Sequence, residues 1–287
     1  MEFKPRKPRE GINVSSMHPL REALLLLCGI ALAASVCIIV VSIGVDMAVQ
    51  LVPADVERRV FQASLLQMAP RVEGADDARS RALQTLLDRL ASHWSEDPYE
   101  LRVGIIEDAA PNAVALPGGV ILVTSTLLDA IESENELGFV LGHEIGHLKN
   151  RDHLRRLGRG VTIALLLSTV TGSTKGVAAP QIFDLAGQLT GRSFDRDEER
   201  AADRAGLELV YAEYGDVSGA IDFFKRLPER GGGVTGDLAN YFETHPLNDD
   251  RVEALANQAR DRGWPSAGRL HPLPPDLAGE SQSVRKP

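Results

Sequence analysis

Cysteine is nearly absent. The 287 residues hold two, Cys28 and Cys37, and both fall inside one apolar run. Outside that run no disulfide can form, and cysteine says nothing direct about the redox compartment. Methionine is as scarce, with Met1, Met17, Met47 and Met68 all before residue 69. Basic charge is in deficit: 31 Lys and Arg stand against 40 Asp and Glu, a formal net charge of −9. That excludes a general affinity for nucleic acid. There is no internal repeat. With 44 % hydrophobic and 25 % charged residues the chain lies outside the disordered class.

Long apolar runs are also few. Val161 to Val170 is too short to cross a bilayer and reads as a buried or membrane-grazing helix. Ala23 to Val45 is different: these residues carry no charge, and they are numerous enough to span a hydrocarbon core as one helix. Ala31-Leu32-Ala33 resembles a signal-peptide cleavage site, but the run continues through Ile38, Ile39, Val40 and Val41, which favours an uncleaved anchor. Residues 1–22 hold five basic residues against three acidic ones. Basic residues before the span keep an N-terminus in the cytoplasm. The expected topology is a single pass through the inner (plasma) membrane, with the rest of the chain periplasmic or otherwise extracytoplasmic.

Against this background one stretch stands out: His143-Glu144-Ile145-Gly146-His147, the H-E-x-x-H pattern. On a helix, residues i and i+4 lie one above the other, so two imidazoles can grip one ion. Zinc lowers the pKa of a water it holds to about 7, and a neighbouring carboxylate, here Glu144, can then take the proton. Ser133 with Glu136 forms a capping-box signature that opens the helix, and Asn150 is a residue that can close it.

A catalytic zinc needs a third protein ligand. His153 has the metzincin spacing, but Asn150 occupies the position where that class needs glycine, and no methionine follows the motif. Glu199 is the better candidate. It sits on a separate helix expected from Asp195 to Tyr211. Asp203, four residues on, can accept the free N–H of His143 and fix its tautomer. Ala201, Ala202 and Ala205 keep one face of this helix slim enough for close approach.

The remaining pattern is mainly helical. Helices are expected over Leu51 to Met68, with Glu57, Arg58 and Arg59 on its wet side, and over Asp76 to Trp94, where Leu83, Leu86, Leu87 and Leu90 recur at helical spacing. Asp216 caps a further helix through Phe223, Phe224 and Leu227, and another runs from Asn248 to Arg262. Gly172 to Pro180 and Gly231 to Gly233 read as loops. Strands are confined to Leu101–Ile105, Ala113–Leu116 and Val120–Val123, the last two joined by a Pro117-Gly118-Gly119 turn. The stretch Asn112, Ala113, Val114 and Ala115 is either a plain structural strand or an edge that pairs with an extended peptide.

Taken in order, the H-E-x-x-H motif, Arg196 with Glu199-Arg200-Ala201-Ala202-Asp203, and Thr244-His245-Pro246 with Arg251 resemble the HtpX-type zinc metallopeptidases. That family includes the CAAX prenyl proteases and a mitochondrial membrane quality-control protease. Leu116-Pro117-Gly118-Gly119 is similar to its edge-strand hairpin. The resemblance covers Leu51 to Arg262. It implies an α+β, mainly helical, gluzincin-type zincin fold with a small sheet beside the active-site helix. It also implies one Zn2+ per subunit held by His143, His147 and Glu199, and endopeptidase action on a polypeptide substrate in quality control of membrane or exported proteins. His245 and Arg251 are implied to steady the tetrahedral intermediate. A single span fits the single-anchor or soluble members. The expected organisation is a tail over 1–22, a transmembrane helix over 23–45, a metallopeptidase domain over 46–262 and a Pro-rich disordered tail over 263–287. The rival expectation is a membrane-tethered, chaperone-like binding protein with a zinc-stabilised fold.

Overall fold

The computed structural model describes residues 18–68, 77–95, 99–170, 195–220, 222, 241, 245–246 and 249–278. The chain divides into two compact units, Met1–Asp46 and Met47–Pro287. The first is dominated by helix α1, Pro19–Leu51, whose last turn belongs to the second unit. By length and composition α1 is the one helix among the described residues able to cross a membrane, with a mean hydropathy of 3.0 in its most apolar stretch. Leu24, Leu25, Ile38 and Ile39 are all exposed along it.

The second unit opens with α2, Ala54–Met68. It starts directly after Pro53, whose carbonyl accepts the N–H groups of Val56 and Glu57. Proline suits such a start because its missing N–H has no helical partner to lose. Here the expected wet side is wrong in one residue. Ala54, Glu57 and Phe61 face inward, while Val56 and Val60 are exposed. Helix α3, Ala78–Ala91, is capped by Asp77, whose side chain accepts from Ser80 N–H. Leu83, Leu86, Leu87 and Leu90 are buried along one face of it.

Three strands follow: β1 Arg102–Ile106, β2 Ala113–Leu116 and β3 Val120–Thr124. The sheet order is β1-β3-β2, with β3 parallel to β1 and antiparallel to β2. The β2–β3 turn needs left-handed backbone, and Gly118 (φ 92°) and Gly119 (φ 85°) supply it. A short helix, α4 (Ser125–Ala130), leads to α5, Glu134–Asn150. Ser133 Oγ accepts from Glu136 N–H, and Glu136 Oε2 reaches back to Glu132 N–H rather than to the cap residue itself. Every residue from Glu134 to Leu148 is buried. Leu137, Val140, Leu141 and Ile145 join Ile105, Ile121 and Val123 of the sheet and the leucines of α3 in one core.

The residue that closes α5 is Arg151 (φ 57°), not Asn150. Its side chain explains the shift: the guanidinium donates to the carbonyls of Val49 and Val52. Helix α6, Asp152–Val170, begins at once, so the apolar 161–170 stretch is the second half of a longer helix. Helix α7, Arg196–Tyr214, carries a full capping box between Asp195 and Glu198 and ends on Gly215 in left-handed conformation. The last helix among the described residues, α8, spans Asp249–Asp261. The loops expected at Gly172–Pro180 and Gly231–Gly233, and Phe223, Phe224 and Leu227 of the helix after Asp216, lie outside the described residues.

The segment after Gly263, expected to be a disordered tail, packs on the helices over its described residues, 264–278. Its backbone has specific partners: Val217 N–H donates to Pro265 O, Glu134 N–H to His271 O, and His271 N–H to Asn135 Oδ1. Trp264 stacks on Tyr211 at 4.5 Å, and Leu277 is fully buried. Prolines here rigidify a strap that runs over the start of α5 and the end of α7. Composition registers the prolines and not the partners waiting for the strap.

Helices α5 and α7 cross at small residues. A Cβ on Gly146 would lie 2.7 Å from Ala202 Cα and 2.9 Å from Ala202 O, and one on Gly206 would lie 2.9 Å from His143 N. Gly146→Ala therefore has to push backbone against backbone. The expected cost is about 1–3 kcal/mol, read as a lowered midpoint in thermal unfolding of the purified chain. An unchanged midpoint would show that the contact has slack.

Candidate metal centre

The close approach of α5 and α7 sets the site. His143 and His147, one turn apart on α5, face Glu199 in the first turn of α7. His143 Nε2 and His147 Nε2 are 3.1 Å apart. Glu199 lies 3.6 Å from the first and 3.5 Å from the second. His245 completes the group, with Nδ1 at 3.0 Å from Glu199 Oε1 and 3.1 Å from His143 Nε2. All four are buried, and their donor atoms lie within 4.8 Å of one another.

The back of each imidazole is held by a carboxylate. Asp203 Oδ1 is 3.0 Å from His143 Nδ1, and Asp152 Oδ2 is 2.9 Å from His147 Nδ1. In their neutral forms both rings therefore carry the proton on Nδ1 and turn an Nε2 lone pair toward the same point. Two such lone pairs at this separation repel unless a cation lies between them. The charge balance agrees. Glu144, Asp152, Glu199 and Asp203 are all buried, and the buried guanidinium among them is that of Arg251. Burial opposes a proton on His147, but Asp152, Glu199 and Glu144 outweigh it and push its pKa up to about 10, so the cluster draws positive charge to this ring and a bound cation would displace the second proton. Burial prevails at His143 and lowers its pKa, as a neutral ligand requires. For Glu199 burial raises the pKa, while His245, His147 and His143 hold it far below the ordinary carboxylate range. The donor set thus fits a divalent ion with imidazole and carboxylate ligands.

Glu144 is on the same helix. Its Oε2 accepts Ala115 N–H of β2 at 2.8 Å. Its Oε1 is buried and makes no hydrogen bond, with His245 Nε2 3.5 Å away. Arg251 is 2 % exposed and braces the far side. Nε and Nη2 donate to the two oxygens of Asp203, each at 2.7 Å, and Nη1 lies 2.6 Å from Glu199 Oε2. Nη1 also donates to the carbonyls of His245 and Pro246. These bonds set the Arg251 guanidinium against Asp203, Glu199 and the His245 backbone.

Of the sequence candidates, His143, Glu144, His147, Glu199, Asp203, His245 and Arg251 converge on one site, and β2 meets it at Ala115. His153 does not join. It is buried elsewhere, 2.9 Å from Glu57 Oε1. Two residues escaped the sequence reading. Asp152 carried a signal in its place directly after the end of the metal-binding helix. Tyr241 stacks on His245 with ring centroids 4.8 Å apart. Burial, then Glu144 and Glu199, raise its hydroxyl pKa well above the ordinary value. Its signal was the spacing of four residues to His245.

An H-E-x-x-H helix met by a glutamate from a second helix, beside an edge strand, defines a zinc metallopeptidase of the gluzincin kind. The model of peptidase family M48 matches residues 77–259, and the chain belongs to that family. It is similar to Metalloprotease YcaL of Escherichia coli, 27 % identical over 186 residues that cover 63 % of this chain and 69 % of YcaL. The beta-barrel assembly-enhancing protease of Yersinia pestis is 28 % identical over 193 residues, 64 % of this chain and 40 % of that protein. The mitochondrial metalloendopeptidase OMA1 of Arabidopsis thaliana is 29 % identical over 179 residues, 62 % and 35 % of the respective chains. The chain thus spans well under half the length of the last two relatives.

Asp152→Ala should weaken zinc binding about 10–100-fold by freeing the His147 ring, measured by competition with a calibrated chelator. Unaltered affinity would remove Asp152 from the site.

Proposed function

We propose that the chain is a membrane-anchored zinc endopeptidase that binds its substrate as an extra strand on β2 and acts in quality control of membrane or exported proteins. The observation that supports the chemistry best is Glu144. One carboxylate oxygen is fixed by Ala115 N–H, and the other is buried beside the ligand cluster without a hydrogen bond. A zinc that only stabilised a fold would leave such a group without purpose. The names of the relatives and the apolar α1 support the setting.

In this reading His143, His147 and Glu199 hold the ion. When bound, zinc supplies Lewis-acid polarisation of the scissile carbonyl and makes the attacking water more acidic. Glu144 takes the proton from that water through Oε1 and returns it to the leaving amine. Ala115 N–H keeps the carboxylate in one orientation through both transfers. Asp203 and Asp152 keep both ligand rings in the tautomer that presents Nε2.

His245 is oriented by the Tyr241 ring, by Glu199 and by the backbone that Arg251 grips. Its Nε2 side faces Glu144 and is the side able to donate to the developing oxyanion. Taken instead as a fourth ligand, His245 would close the coordination position that catalysis needs.

The substrate's path follows from the ladder. Thr124 N–H donates to Asn112 O, and antiparallel alternation then turns the N–H and C=O groups of Ala113 and Ala115 away from β3. Ala115 N–H is taken by Glu144, so an extended peptide's main chain pairs with Ala113 N–H and with the carbonyls of Ala113 and Ala115, and recognition depends little on sequence.

Glu144→Gln is expected to keep its zinc and lose roughly 10²–10⁴ of kcat, followed by casein digestion alongside metal analysis. Full function in this variant would instead support a tethered chaperone-like protein. His245→Phe should also keep zinc, with kcat lower by about 10²–10³. Loss of the metal in that variant would mark His245 as a ligand. Ala113→Pro removes one outward N–H from the edge without touching the β2–β3 ladder. KM for extended peptides should rise while short peptides are cut as before, and an unchanged KM would refute strand pairing.

A further inference from the structure

Glu57 stands against the pattern of its own helix. It is 1 % exposed, while Val56 and Val60 beside it are 39 % and 55 % exposed. A carboxylate is buried this deeply only where partners compensate for lost hydration. Glu57 has three. Oε2 accepts the Tyr99 hydroxyl at 2.7 Å, and Oε1 accepts Gly118 N–H at 2.7 Å and lies 2.9 Å from His153 Nε2. Burial alone would raise its pKa. His153, Gly118 and Tyr99 outweigh that and keep it below the ordinary glutamate value.

The partners come from three places that matter to the cleft. Gly118 is in the turn that joins β2 to β3. Tyr99 packs under the same turn, where a Cβ on Gly119 would come within 2.8 Å of the Tyr99 Cβ. His153 sits just past the end of α5. The same end of α5 is tied a second time, because Arg151 adopts left-handed backbone and donates to the carbonyls of Val49 and Val52. The segment from Val49 to Glu57 thus grips both the helix that carries His143 and His147 and the turn that sets the height of β2. The position of β2 in turn fixes Ala115 N–H against Glu144.

We propose that Glu57 is a positioning residue for the peptidase reaction. It locks the β2–β3 turn to the segment that follows the apolar helix, so that β2 can receive a substrate strand. This rests on the edge-strand reading above. It makes the residues between the apolar helix and the H-E-x-x-H domain part of the cleft's support rather than a passive linker.

The test uses the full-length, zinc-loaded chain and two fluorogenic peptides, one long enough to pair along β2 and one too short to do so. Glu57→Ala should lower kcat/KM for the long peptide by about tenfold or more, since small misplacements of a reacting group have effects of that size. Most of the change should lie in KM, the zinc content should stay at one per chain, and the short peptide should lose much less. Glu57→Gln, whose amide oxygen can still accept Gly118 N–H while its NH2 donates to the Tyr99 hydroxyl oxygen, should recover most of the loss. Amide exchange should accelerate over 113–120 in Glu57→Ala and, to a smaller extent, in Tyr99→Phe. Should Glu57→Ala fail to fold, Glu57→Gln and Tyr99→Phe carry the comparison, with a modest KM rise for the long peptide only. Equal losses on both peptides, or wild-type KM together with wild-type exchange over 113–120, would overturn the proposal. Ala113→Pro separates the two readings. If it raises KM for the long peptide while the Glu57 variants do not, only the role of Glu57 fails. If Ala113→Pro also leaves KM unchanged, both fail.

Discussion

The structure depends on how closely α5 and α7 approach each other. Gly142 and Gly146 on one helix meet Gly206 and Ala202 on the other with no room for added carbons. That contact brings a carboxylate from α7 up to two imidazoles on α5. A larger residue at the crossing would separate the helices by more than a coordination bond can tolerate, since zinc–ligand distances are about 2.0–2.1 Å and vary little. The packing also makes the site costly without a cation. Two Nε2 lone pairs and several carboxylates are buried together, and the nearest buried positive charge, Arg251, is already shared between Asp203 and Glu199.

Support for the site is layered. Asp203 and Asp152 orient the rings, Arg251 ties Asp203 to Glu199 and to the backbone of His245, and Tyr241 stacks on His245. The sheet is small, yet its edge strand fixes Glu144 through one N–H. The strap after Gly263 secures the opposite end of the same two helices through Glu134, Asn135 and Val217. Helix α5 is therefore held at both ends, at its start by the strap and at its close by the segment from Val49 to Glu57, while the strap also meets the end of α7.

Much of this was legible in the sequence, for identifiable reasons. The H-E-x-x-H pairing and the Glu199–Asp203 spacing are local consequences of helical periodicity, and the Pro117-Gly118-Gly119 turn follows from backbone chemistry. The small residues of α7 announced close packing. What escaped depends on contacts distant in sequence. Glu57 looks solvated until Tyr99, Gly118 and His153 are placed around it. His153 looks like a helix-end histidine until Glu57 is known to be inside. Arg151 takes the left-handed position in place of Asn150 because two carbonyls about a hundred residues earlier hold its side chain. The proline-rich strap carries the composition of a loose tail, and its order comes from partners on α5 and α7. Arg251 entered the sequence reading through the motif it shares with His245, and the distant partners of its guanidinium are Asp203 and Glu199.

The most direct measurement is an anomalous-diffraction structure of the zinc-loaded protein at the zinc edge. One ion per chain should appear, bonded to His143 Nε2, His147 Nε2 and the Glu199 carboxylate, with its remaining position open toward Glu144. An ion closed off by His245 as fourth ligand, or one that leaves Glu199 beyond bonding distance, would contradict the assignment of this centre to peptide-bond hydrolysis.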